Sequence, residues 1–449
     1  MSVYAVELPA PGAPSRIQPG IGAFQPNEAS YQLAVIRFED SGEASDLREL
    51  SLALECIELA RDTPNGAVVL VFIHGWHHNA SWDIDTDTGD EHFAAFRQVL
   101  KALTLREAER YDETGARGRR IVGVYIGWNG DPPGSLLPSL GVLAHASFWN
   151  RSRTAETIGN GADFRDTLAK VFTATKAPDQ GIATESPLIL IGHSMGALIL
   201  ESAFLALLVD PAHPLAFDMP AGRSNPRPVE VLREGRPILF PDVVLALNSA
   251  ADSSIFRQIR DELALRGIEK TIRASFGRNR PNYAPPLLIS ATSVADNDTG
   301  RIWPLAMGPW AGRKTDGHDA TLFTHDFALV QEAVQCDRRN IGMDFGQNWH
   351  CLRPPETEIG GGTAFTIDLP TRERDGVQDL AVPHARYRLT PRASYQAQLG
   401  WVFQLPGHIV ANHNDIFNSR ASSLMLGMIQ IAGAVVSLAR DWDDTFEPT

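Results

Sequence analysis

Gly192-His193-Ser194-Met195-Gly196 sets a serine between two glycines, directly after the apolar run at residues 187–191 and before a second apolar stretch at 197–208. A buried strand that ends in G-x-S-x-G and passes straight into a helix is a nucleophile elbow, a sharp turn with serine at its apex. Glycine is required on either side because the apex backbone is strained and strand and helix approach too closely for a Cβ. The apex also lies at a helix N-terminus, where free N–H groups stabilise negative charge.

A serine hydroxyl is a poor nucleophile at neutral pH and needs a base, an acid that orients the base, and N–H donors for an oxyanion. After an elbow the expected chain order is Ser, then Asp or Glu, then His. For the acid, Ala295-Asp-Asn-Asp-Thr-Gly300 offers Asp296 and Asp298 after the strand-like segment 287–294. Carboxyl ends of parallel strands are where reactive groups collect in open α/β sheets, and Asp296 comes soonest. Asp298 is the alternative, with an Asx-turn role the competing reading of either, and Asp252 after the preceding strand is a minority option. For the base, His408 and His413 follow the last strand. His413 precedes Asn414 and Asp415, which suit a helix start, whereas His408 directly after Pro406-Gly407 reads as a turn residue. The oxyanion donors are expected from the N–H of Met195 and from that of Trp76 in His74-Gly75-Trp76, where Gly75 permits close backbone approach. His77 and His78 beside it read as loop packing, since no carboxylate or cysteine cluster with metal-ligand spacing adjoins them.

The elements that must position these groups alternate between strand-like and helix-like, which predicts a mainly parallel central sheet with helices on both faces. Strands are expected at 31–38, 67–73, 120–128, 187–191, 242–247, 287–294 and 400–405, and helices at 47–61, 91–111, 151–176, 197–208, 253–273 and 422–440. The run 67–73 (AVVLVFI) is apolar throughout, as a strand covered on both faces should be. About ninety residues, 300–391, separate the last two core strands and include Trp303, Trp310, Phe323, Phe345 and Trp349. A loop of that length forms its own sub-structure, and it reads as an insertion or cap-like region. Residues 1–30 read as an extended arm and 31–449 as the domain. The acidic stretch Asp83–Asp87 lacks the terminal bidentate Glu of an EF-hand and reads as a solvated loop.

A net charge of −14 argues against nucleic acid or an anionic membrane as partner. Hydrophobic content of 43% and charged content of 21% are those of a soluble globular protein. Three cysteines, Cys56, Cys336 and Cys351, supply neither a disulfide framework nor a zinc signature, with a 336–351 bridge left open. Residues 1–20 do not read as a secretory signal, and the apolar stretch 424–438 is too short for a membrane span. The expectation is a cytoplasmic protein without a cofactor, its oligomeric state unspecified.

With these parts in place the chain resembles the α/β-hydrolase superfamily over roughly residues 30–440, on His74-Gly75-Trp76, Gly192–Gly196 and the downstream Asp-then-His order. The stretch Val71-Phe-Ile-His-Gly-Trp-His-His-Asn-Ala80 is similar to a set of poorly characterised bacterial hydrolase-like proteins, which brings no substrate with it. The resemblance implies Ser194 as nucleophile, Asp296 or Asp298 as acid, His413 as base, and Trp76 and Met195 as oxyanion donors. It implies a serine esterase or lipase-like enzyme on a small-molecule ester with an apolar acyl or alcohol part. Aromatics within 128–149 and in the insertion are candidates for an apolar pocket. An acyltransferase, amidase or thioesterase would use the same triad, and a non-catalytic binding protein on a hydrolase scaffold is the alternative of another class.

Overall fold

The computed structural model describes residues 4–5, 31–83, 88–114, 119–130, 141–176, 186–209, 230–233, 236–239, 241–265, 286–306, 313–334, 353–359, 362–370, 384–392 and 399–431. Its centre is an α/β unit in which every sheet pairing is parallel. The strands are β1 (Tyr4–Ala5), β2 (Tyr31–Phe38), β3 (Ala67–Ile73), β4 (Arg120–Trp128), β5 (Leu188–His193), β6 (Val243–Leu247) and β7 (Leu288–Ser293). Four antiparallel strands follow, β8 (His325–Val334), β9 (Arg353–Ile359), β10 (Gly362–Pro370) and β11 (His384–Pro391), before the last central strand, β12 (Gly400–Leu405). The central order is β1-β2-β4-β3-β5-β6-β7-β12.

Strand alternation explains how the sheet takes helices on both faces. Along β3, Val69, Val71 and Ile73 join the core formed with α1 (Leu47–Arg61), α3 (Gly141–Asn160), α4 (Ala162–Lys176), α5 (Met195–Val209) and α6 (Ser253–Leu265). The intervening Val68, Leu70 and Phe72 join the opposite core, formed with α2 (Glu91–Thr114) and α7 (Ser419–Ile431). A strand buried on both sides needs an unbroken apolar run, and that is what β3 carries. Two helices start on aspartates: Asp46 accepts the Arg48 N–H before α1, and Asp90 accepts the N–H groups of His92 and Phe93 in α2.

Several expected boundaries move. The helix expected over 151–176 begins at Gly141 and breaks at Gly161, whose N–H turns back to the Ile158 carbonyl, so α3 and α4 are separate. The last helix starts at Ser419, with 432–440 outside the described residues, as are 266–273 beyond α6. Of the expected N-terminal arm only β1 is described, lying parallel to β2. Asp83 belongs to a short hairpin, Trp82–Asp83 with Thr88–Gly89, while 84–87 are outside the described residues. Trp310, Phe345, Trp349, Cys336 and Cys351 are outside them too.

Within the expected insertion, β8 to β11 form an antiparallel sheet in the order β8-β11-β10-β9. Tyr387 and Leu389 of β11 are buried with Trp401 and Phe403 of β12, and the Thr324 N–H donates to the Val402 carbonyl. The insertion is thereby seated on the edge strand of the central sheet. Among the described residues no helix is long and apolar enough to cross a membrane.

A tight main-chain crossing lies where α5 leaves β5. A Cβ on Gly196 would stand 2.2 Å from the Ile73 carbonyl oxygen and 2.5 Å from that of His74, both main-chain atoms that cannot swing aside. Gly196→Ala should therefore destabilise the fold by about 1–3 kcal/mol through overpacking. A urea midpoint equal to that of wild type would contradict this crossing.

Candidate active site

The carboxyl edge of the central sheet collects the loops that follow β3, β5, β6, β7 and β12. At its middle, Ser194 occupies the turn between β5 and α5 with φ 55°, a left-handed conformation unusual for serine. The turn is pinned by its own backbone: the Ser194 N–H donates to Leu247, and its carbonyl accepts from Ala197, Leu198 and Ala250. From the β3 loop, Gly75 closes on this turn, since a Cβ there would lie 2.8 Å from the Ser194 Cβ.

His413, on the loop after β12, places Nε2 2.6 Å from Ser194 Oγ. Its Nδ1 lies 3.0 Å from both carboxylate oxygens of Asp296, after β7. A carboxylate on Nδ1 fixes that nitrogen as the protonated one, which leaves Nε2 to accept the serine proton. Side-chain exposure falls from 11% at His413 to 0% at Asp296, so the acid is sealed behind the base. Burial works to raise the Asp296 pKa, but hydrogen bonds from His413 and Thr299, with the His413 charge, outweigh it and hold the carboxyl below its ordinary value. The turn that carries Asp296 solvates it internally: the N–H groups of Asp298 and Thr299 and the Thr299 hydroxyl all donate to it.

The expected trio Ser194, Asp296 and His413 is thus brought together, and the alternatives are placed elsewhere. Asp298 lends its backbone N–H to Asp296, and Asp252 accepts the Ser254 N–H at the start of α6. His408 sits in the turn after β12, its ring bonded to the Tyr387 hydroxyl of the insertion. The backbone N–H groups of Met195 and Trp76 flank Ser194 along the chain or across the Gly75 contact, and neither has an intramolecular acceptor among the described residues. The Trp76 ring stacks on His77 and meets Phe148 edge-on at 5.4 Å. Of the other aromatics considered for a pocket, Trp128 is locked onto His74 through its indole N–H, and Trp149 is exposed.

Sequence reasoning missed what holds His413 in place. Its carbonyl accepts from Asn248 Nδ2 at 2.7 Å and from His193 Nε2 at 2.9 Å. Asn248, itself at φ 45°, also accepts the Ser293 N–H, which ties the β6, β7 and β12 loops together. The available signal was position: Asn248 directly follows β6, and His193 directly precedes Ser194. A second unforeseen feature is a layer of buried histidines. Burial holds the His74 pKa down to about 4 and pushes those of His193 and His92 well below the ordinary histidine value, so these rings are neutral. His74 donates from Nδ1 to the Gly75 carbonyl and accepts the Trp128 N–H at Nε2. His78 and His92 stack face to face, with ring centroids 3.4 Å apart.

No protein-family model matches the chain, and no curated protein matches it. Among solved structures, an uncharacterized protein from Pseudomonas aeruginosa aligns at 11% identity with a TM-score of 0.22. That alignment covers 56% of this chain and 38% of the other, and so slight a likeness carries no argument.

Behind the serine, Glu201 of α5 and Asp316 are buried together, with Ser249 and Ser290 donating to them. Burial raises both pKa values, that of Asp316 from 3.8 to about 6, and the neighbouring Asp316 charge adds to the rise at Glu201. A raised folded-state pKa contributes stability that is complete below the unfolded value and is lost as pH climbs through the folded one. Glu201→Gln, neutral at every pH, should therefore gain on wild type as pH rises from about 4 to about 7. Chemical-denaturation midpoints measured across that range should diverge in favour of the variant. A constant offset would show that the pair does not carry the shift.

Proposed function

We propose that the chain is a serine hydrolase of the α/β-hydrolase type, cleaving a carboxylic ester through an acyl-enzyme on Ser194. The observation that carries this reading is the continuous relay from Ser194 Oγ through His413 to Asp296, at 2.6 Å and 3.0 Å. Three loops distant in sequence supply it, in the order Ser, Asp, His, and the serine stands on a strained strand-to-helix turn. Separate structural needs would not converge on that alignment, since a left-handed serine costs of order 1–3 kcal/mol.

In this reading Ser194 Oγ attacks the ester carbonyl carbon as its proton passes to His413 Nε2. The Met195 and Trp76 N–H groups stabilise the oxyanion as it forms. Collapse of the tetrahedral adduct breaks the bond to the alcohol oxygen, which leaves with the proton held by His413. Water then attacks the acyl group, gives its proton to His413, and releases the acid with Ser194 restored. Asp296 stays ionised throughout and stabilises the imidazolium, in keeping with its lowered pKa. The Trp76–Phe148 contact beside the turn favours an apolar acyl or alcohol part.

A panel of p-nitrophenyl esters tests this directly. Wild type should turn over at least one member, and Ser194→Ala or His413→Ala should each lose about 10⁴-fold or more in kcat, with the double variant little worse. Turnover that survives in Ser194→Ala, or losses that multiply in the double variant, would overturn the relay.

A further inference from the structure

We propose that His78, Glu91 and His92 bind one divalent transition-metal ion, with Zn²⁺ the best fit, which clamps the loop after β3 to the N-terminus of α2. The three side chains bring their donor atoms within 4.8 Å of one another. His78 and His92 are each 3% exposed, and their free nitrogens face no protein partner: Nε2 of His78 and both ring nitrogens of His92. Unpaired buried polar atoms are costly, and a ligand that takes their lone pairs removes the cost.

The second layer is already arranged for a metal. His78 Nδ1 donates to Asp90 Oδ2 at 3.1 Å, which fixes the tautomer with a lone pair on Nε2 and raises its basicity. Asp90 is itself held by the N–H groups of Asn79, His92 and Phe93, so it cannot turn away. Two neutral imidazoles and a carboxylate suit Zn²⁺ and its first-row neighbours, whereas Ca²⁺ and Mg²⁺ prefer all-oxygen shells. Donors on one tetrahedral zinc stand about 3.4 Å apart and each imidazole lone pair lies in its ring plane, so taking up the ion turns the His92 ring out of its near-parallel packing on His78. Glu91 is exposed and gives the ion a path in. Water would complete the shell.

The role follows from what the ion would join. His78 lies on the loop that contains Gly75 and Trp76, and the Trp82–Asp83 hairpin folds this loop back onto Glu91 and His92. The site therefore braces the loop that closes on Ser194, without using Ser194, His413 or Asp296.

The test titrates Co²⁺ into EDTA-stripped, tag-free full-length protein, followed by visible absorption and by competition with Zn²⁺. One equivalent should bind with ligand-field bands, Zn²⁺ should displace it and raise the melting temperature, and Ser194→Ala should behave as wild type. His92→Phe, which keeps an aromatic ring on the stack, should lose the bands, and exposed Glu91→Gln should weaken binding about tenfold or more. Far-UV circular dichroism of each variant establishes folding, and Glu91→Gln serves alone should His92→Phe fail to fold. Absence of a stoichiometric ion in wild type, or binding left intact in Glu91→Gln and in folded His92→Phe, would overturn the proposal. Neither outcome bears on ester turnover, so it stands apart from the fate of the catalytic reading.

Discussion

A serine held at φ 55° between a strand and a helix is the constraint to which the rest of the site conforms. That backbone persists only because its surroundings over-determine it. The Ser194 N–H and carbonyl are tied to the β6 loop and to the first turn of α5, while Gly75 and Gly196 let two main-chain segments cross at distances no side chain would allow. The parallel sheet does the remainder. Because its strands run in one direction, the loops bearing Gly75, Ser194, Asn248, Asp296 and His413 all emerge along the same edge, and pairing register sets their spacing.

Electrostatics then sorts the buried groups by role. Asp296 remains ionised in a sealed position because His413 and its own turn solvate it more than burial penalises it. His74 and His193 lie at least as deep but face main-chain groups, so burial wins and they stay neutral, serving as struts. His193 and Asn248 both grip the His413 carbonyl, which fixes the loop through its backbone and leaves the imidazole free to exchange protons. Glu201 and Asp316, equally buried, are both raised chiefly by burial, and the Asp316 charge adds to the rise at Glu201.

Much of this was legible in the sequence, for physical reasons. Strands buried on both faces must be unbroken apolar runs, and the spans expected for β2, β3, β4 and β12 coincide with those observed. The turn serine stood out because glycines were needed around it, and position after a strand pointed to Asp296, the carboxylate that meets His413, over Asp298. Legibility ended where a residue acts through a neighbour's backbone, as Asn248 and His193 do, since nothing in their spacing marks a bond to the His413 carbonyl. It ended also where folding creates proximity. His78 and His92 look like separate loop and helix residues until a hairpin brings them into register, and the insertion sheet pairs strands in the order β8-β11-β10-β9 that local patterns do not encode.

The central claim is that Ser194 is an activated nucleophile within a working relay, and a covalent probe reads that property without knowledge of the natural substrate. Full-length protein is treated with an alkyl fluorophosphonate, and the adduct is located by peptide mass spectrometry. The account predicts stoichiometric labelling on Ser194, abolished in Ser194→Ala and strongly slowed in His413→Ala. Folded wild-type protein that stays unlabelled, or carries the adduct on another residue, would contradict it.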